Sequence, residues 1–110
     1  MGRLLLTARA EREIRATLRF TASRWGAMQA ASYRALISDA LAELLTDPRT
    51  PRSRDRDEIR PGVRTLPIAR AGRPARHLVV YRISDAGDIE VLRFLHDSME
   101  LRRHLGASGS

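Results

Sequence analysis

Arg64, Arg82, Arg93 and His96 are the residues of this chain best suited to chemistry. Three guanidinium groups can clamp carboxylates or phosphates through paired N–H donors. An imidazole that titrates near neutral pH can accept or deliver a proton. Together they could support RNA cleavage, in which a 2′-OH is activated, a phosphorane-like transition state is stabilised and the leaving oxygen is protonated. The same arginines can instead grip an acidic chain or pair within the fold. His96 divides similarly between a hydrogen-bonded strand end, a partner contact and proton transfer. His77 is expected to face it, but two His without a third ligand do not make a metal site.

What the chain lacks narrows this chemistry. All 20 basic residues are Arg, so no Lys can act as general base, Schiff-base former or phosphate-loop lysine. There is no Cys, which removes disulfides, thiolate nucleophiles and Cys-based zinc sites. With no Lys on the sheet, and neither Tyr nor Trp after His96, a ribonuclease would be short of groups. The net charge of +7 attracts polyanions, acidic protein or nucleic acid, at rates that fall with salt. Residues 49–76 hold nine Arg against Asp55, Asp57 and Glu58 and supply +6 of that charge. The Arg run reads most simply as a solvated basic surface. The opening Leu4-Leu5-Leu6 run is too short for a signal peptide, so the cytoplasm is the expected location and no membrane is implied.

At 110 residues the chain has room for one domain, expected over 1–105, with a frayed tail at 106–110. Leu4-Leu5-Leu6 reads as a short strand, and Thr7 is a suitable N-cap for a helix from Ala8 to Trp25. Ile14, Leu18, Thr21 and Trp25 recur at helical spacing, with Arg12, Arg15 and Arg19 turned to solvent. Gly26 breaks the pattern, and a second helix runs from Ala27 to Leu45 until Asp47-Pro48 stops it. Tyr33 and Trp25 sit on the apolar stripes and are assigned to core packing. The five prolines all lie between Pro48 and Pro74, which excludes long helices there. Val63 to Ile68 reads as a strand demoted towards an edge by Pro67, and Ala69 to Arg76 as an exposed loop.

His77 to Ser84 and Asp88 to His96 are β-branched and aromatic runs joined by Asp85-Ala86-Gly87. A two-residue Ala86-Gly87 loop sets Arg82 opposite Val91, Val80 opposite Arg93 and Leu78 opposite Leu95. One face then carries Val79, Tyr81, Ile83, Leu92 and Phe94 towards the helices. Arg82 and Arg93 become diagonal neighbours on the open face. Met99 to Leu105 can form one or two helical turns.

In this order, the motifs resemble the ParE branch of the RelE/ParE toxin superfamily over about 90 residues. Trp25-Gly26 ends the first helix, Ala30-x-x-Tyr33 and Asp47-Pro48 frame the second, and Arg60-Pro61-Gly62-Val63-Arg64 resembles the entry to the sheet. His77 with Val80-Tyr81-Arg82 resembles its central strand, and Leu95-His96, Met99 and His104-Leu105 its close. The resemblance implies an α+β fold: a short N-terminal strand, a two-helix hairpin, an antiparallel sheet (β-α-α-β-β-β) and a short C-terminal helix. It implies the toxin of a type II toxin-antitoxin system, neutralised by a ParD-like antitoxin with an acidic C-terminal segment. ParE-branch toxins inhibit DNA gyrase without cofactor or catalysis, whereas RelE-branch toxins cut mRNA on the ribosome. On the ParE reading Arg64, Arg82 and Arg93 face the antitoxin, and Arg93, His96, Met99, Arg102 and Arg103 contact gyrase. If the chain were a ribonuclease, its catalytic set would be Arg64, Arg82, Arg93 and His96.

Overall fold

The computed structural model describes residues 2–97 and 101–103; Met99, His104 and the 106–110 tail lie outside them. The elements run β1 (Leu4–Leu6), α1 (Ala8–Trp25), α2 (Ala27–Thr46), β2 (Arg54–Asp55), β3 (Arg64–Pro67), β4 (Leu78–Ile83) and β5 (Ile89–Leu95). They form the expected α+β architecture, with a five-stranded sheet ordered β1-β5-β4-β3-β2. Strand β1 lies parallel to β5 and the other pairings are antiparallel, so the N-terminal strand closes the sheet edge beside the last strand.

Both helix boundaries follow local chemistry. The Thr7 side chain accepts from the Ala10 amide at 3.0 Å and caps α1. Gly26 sits at φ 96°, a left-handed region costing other residues about 1 kcal/mol or more. Its N–H donates to Ala22 O and its carbonyl accepts from Ala30 N, so one residue ends α1 and starts α2. Asp47 caps α2 in an extended conformation, as the following proline favours.

The main core lies between the helical hairpin and one face of the sheet. Ala10, Leu36, Ile37, Ala40 and Leu44 meet Leu66, Val79, Tyr81, Val91 and Phe94 there. The other face is covered too: Val63, Val80, Leu95 and Leu101 form a second buried cluster, with Ile59 and Leu92 beside it. Leu101 is wholly buried, and its amide donates to Asp97 O at 3.0 Å. Burying that side chain contributes about 2 kcal/mol.

The β4–β5 register corrects the sequence-based pairing in one half. Leu78↔Leu95, Val79↔Phe94 and Val80↔Arg93 pair as expected. Beyond them the register shifts to Tyr81↔Val91, Arg82↔Glu90 and Ile83↔Ile89, which leaves Leu92 unpaired as a bulge. The cause is the turn. Ser84 and Asp88 close it (Ser84 N to Asp88 O, 2.8 Å), so the loop has three residues, not two, with Gly87 at φ 87°. The bulge turns Ile89 and Val91 towards the helices and Leu92 towards the second cluster. Arg82 and Arg93 are therefore not diagonal neighbours on an open face.

The 69–76 connection also differs from an exposed loop. Arg70 reaches Asp39 O at 3.0 Å and Glu43 at 3.1 Å, and Arg73 reaches Ser32 O at 2.9 Å. Two guanidinium groups thus dock the connection on α2, which only the tertiary fold brings near.

Candidate functional site

The ends of β4 and β5 meet the tip of the helical hairpin at a groove of about 720 Å³. Phe20 and Trp25 stand on its rim, Tyr33 and His77 on its floor, and Arg76 and His96 beside them. Trp25 is 64% exposed and Phe20 65%, so the assignment of Trp25 to the core is corrected. Its helical stripe continues past the point where anything packs against it. Tyr33, on the second helix, is half-buried, and burial raises its pKa against the opposing backbone hydrogen bonds of Arg76 and His77.

His77 organises the floor. Its ring stacks on Phe94 at 4.9 Å with planes 5° apart, meets His96 edge-on at 5.1 Å, and shares a hydrogen bond between Nδ1 and the Tyr33 hydroxyl, 2.5 Å apart. The expected His77–His96 juxtaposition is thus present. Among the described residues no group of three His, Asp or Glu could hold a metal ion. None of the described residues that line the groove is a carboxylate, so with Arg76 it suits an anionic partner that carries apolar side chains.

The other candidate residues do not converge. Arg64 donates to Ser53 Oγ at 2.8 Å and approaches the Tyr81 hydroxyl, which itself donates to Pro48 O, so it lies under the end of α2. Arg82 is exposed and paired with Glu90 across the strands. Arg93 is 8% exposed and holds Glu13 of α1 through Nε at 3.0 Å and Nη2 at 2.7 Å. His96 lies at the far end of the hairpin, about 20 Å of strand from Glu90 and its partner Arg82. Arg102 and Arg103 are exposed beside the buried Leu101. As placed, Arg64, Arg82, Arg93 and His96 do not surround one phosphate.

Two acidic residues that sequence reasoning passed over organise the sheet edges. Besides holding Arg93, Glu13 accepts the Phe94 amide at 2.9 Å. Glu43 accepts from Thr50 Oγ1 at 2.6 Å and from Arg52 and Arg70 at 3.1 Å each. Desolvation pushes the Glu43 carboxyl up, but the hydrogen bonds and charges of Arg52, Thr50 and Arg70 outweigh it and hold its pKa low. A signal existed: both acids lie beside the buried stripes of Ala10 and Leu44, where an acid needs an internal partner.

The sequence model of the ParE toxin family, toxins of type II toxin-antitoxin systems of the parDE kind, matches residues 4–101. The chain belongs to the ParE toxin family. The toxin ParE1 of Mycobacterium tuberculosis is 36% identical over 104 residues, covering 94% of this chain and 98% of that one, in strain H37Rv and in strain CDC 1551 / Oshkosh alike. A chain from the chromosomal ParDE toxin-antitoxin system of P. aeruginosa superimposes with a TM-score of 0.73 at 22% identity. It covers 88% of this chain and 97% of its own, a likeness of fold. This ParE toxin thus shares its fold with that chain over most of its length.

Proposed function

We propose that this toxin arrests DNA replication by binding and inhibiting DNA gyrase, and that an antitoxin with an acidic C-terminal segment neutralises it. The observation that carries the reading is the aromatic groove, with no carboxylate among its described lining residues: exposed Phe20 and Trp25 beside Tyr33, His77 and Arg76 make a docking surface. Large exposed aromatics beside cations are the anchors that protein interfaces use. The spread of Arg64, Arg82, Arg93 and His96 over separate parts of the fold favours binding over RNA cleavage. The toxin acts in the cytoplasm, where gyrase works, and no described helix is long and apolar enough to cross a membrane.

Antitoxin carboxylates meet Arg82 and Arg64, while Arg93, committed to Glu13, holds the last strand in place. Gyrase is met by the end of that strand and the segment after it, through His96, Met99, Arg102 and Arg103. In the deciding experiment the toxin is induced in a bacterial host and incorporation of thymidine and of methionine is followed. DNA synthesis should stop first, and purified toxin should lower gyrase supercoiling while leaving ribosome-bound mRNA intact. Translation failing before replication would overturn the reading. Saturating antitoxin should raise the melting temperature, because it binds only the native state.

A further inference from the structure

The outer face of the helical hairpin, on the side of α1 away from the sheet, carries a second charged surface. At 100° per residue, Arg12, Arg15 and Arg19 fall within an arc of about 60° centred opposite the buried Ala10. Arg34 of α2 joins them: with Arg15 and Arg19 it lines a shallow groove between the helices that has no acid among its described lining residues. One carboxylate stands nearby, Glu11, in an exposed pair with Arg15 at 3.8 Å. Arg12, Arg19 and Arg34 have no carboxylate partner among the described residues.

We infer that this ridge binds the phosphate backbone of duplex DNA without reading its sequence. The ridge is a convex helix face, and from Arg12 to Arg19 it runs about 10 Å along the axis. Over that length B-DNA presents about six phosphate charges. A protein partner fits the ridge less well: Arg does anchor interfaces, but together with aromatic residues, and the described lining here adds only Leu18, Ala22 and Ala30 to its arginines. This chain's exposed aromatics, Phe20 and Trp25, line the groove at the hairpin tip instead. A polyanion needs no apolar anchor: its affinity comes from counterions released as guanidinium groups neutralise phosphates. The inference goes beyond gyrase inhibition, since it concerns the toxin alone with DNA.

The test is fluorescence anisotropy of a short labelled duplex titrated with purified toxin over a range of salt concentrations, with no gyrase present. Two duplexes of unrelated sequence should bind alike and lose affinity as salt rises. The double variant Arg19→Ala/Arg34→Ala should bind about tenfold more weakly at low salt, with the slope of log K against log salt smaller by about 2. Arg19→Lys/Arg34→Lys keeps the charge and should stay near the parent. Arg49→Ala/Arg54→Ala removes the same charge from another exposed region and should also bind like the parent. No binding at low salt overturns the inference. So does equal weakening by the two Ala doubles, or polyglutamate competing as well as unlabelled duplex at matched charge. Gyrase supercoiling measured separately with Arg19→Ala/Arg34→Ala keeps the two readings apart: inhibition can fail or survive whatever the duplex does.

Discussion

The two edges of the sheet are both closed by a glutamate from a helix, and by opposite means. At the β5 edge, β1 covers only Ile89 to Val91, and beyond it side chains take over: Thr7 Oγ1 donates to Leu92 O and Glu13 accepts the Phe94 amide. At the β3 edge, past β2, Pro67 has no N–H, and its carbonyl and that of Ala69 need a donor, which a carboxylate cannot be. Glu43 therefore works through Arg52, whose guanidinium donates to Pro67 O at 3.1 Å and to Ala69 O at 2.5 Å. The polarity of the orphan backbone group decides whether the acid acts directly or orients a cation. In both places the unpaired edge that invites aggregation is blocked.

The two latches differ in burial, so removing each acid should have a different cost. Glu13→Ala leaves the nearly buried Arg93 without a counter-charge and the Phe94 amide without an acceptor. It should cost about 3 kcal/mol in urea denaturation. Arg93→Met in that background should recover part of the loss, because an apolar side chain does not need the missing acid. If Glu13→Ala proves neutral, the β5 latch carries no stability.

Glu43→Ala should cost less, about 1 to 2 kcal/mol, because Arg52 and Arg70 are each about a third exposed and can turn to water. A loss larger than that of Glu13→Ala would reverse the comparison. The same latch is sensitive to acid. The Glu43 pKa is lower folded than unfolded, so its stabilisation is complete above the ordinary value of 4.5 and is lost as pH falls through the lower folded value. Glu43→Gln should flatten the pH dependence of stability below that point. Some slope will remain, because the Arg3 amide's hydrogen bond and the Arg3 charge also hold Asp88 low. The smallest effect belongs to Arg82→Ala, where breaking an exposed pair with Glu90 should change stability by about 0.5 kcal/mol or less. Antitoxin affinity, measured by calorimetry, should fall at least tenfold in that variant; unchanged affinity would remove Arg82 from the antitoxin surface.

Much of this fold could be read locally. Thr7, Gly26 and Asp47-Pro48 mark the helix ends to within a residue because capping and left-handed backbone depend on the residue itself. The half of the β4–β5 register next to His77 and His96 matches the count from a two-residue loop only because the extra loop residue is offset by the bulge at Leu92. The bulge at Leu92 was not legible, since a two- and a three-residue loop both fit Asp85-Ala86-Gly87 and differ by one register step. At the site, His77 and His96 were brought together by counting along strands. The rest of the groove was not, because a helical stripe shows which residues share a face but not where the packing stops.

By itself the sequence determined the family, the order of elements, the absence of Lys and Cys chemistry and the concentration of Arg between 49 and 76. These are properties of residue type and near-neighbour spacing. Tertiary structure decided which of the chain's arginines are spent. Arg93 is taken by a glutamate 80 positions away, Arg52 and Arg70 by Glu43, and Arg73 by Ser32. A guanidinium carries the same charge wherever it stands, but whether that charge faces a partner depends on what the fold packs within a few ångströms of it.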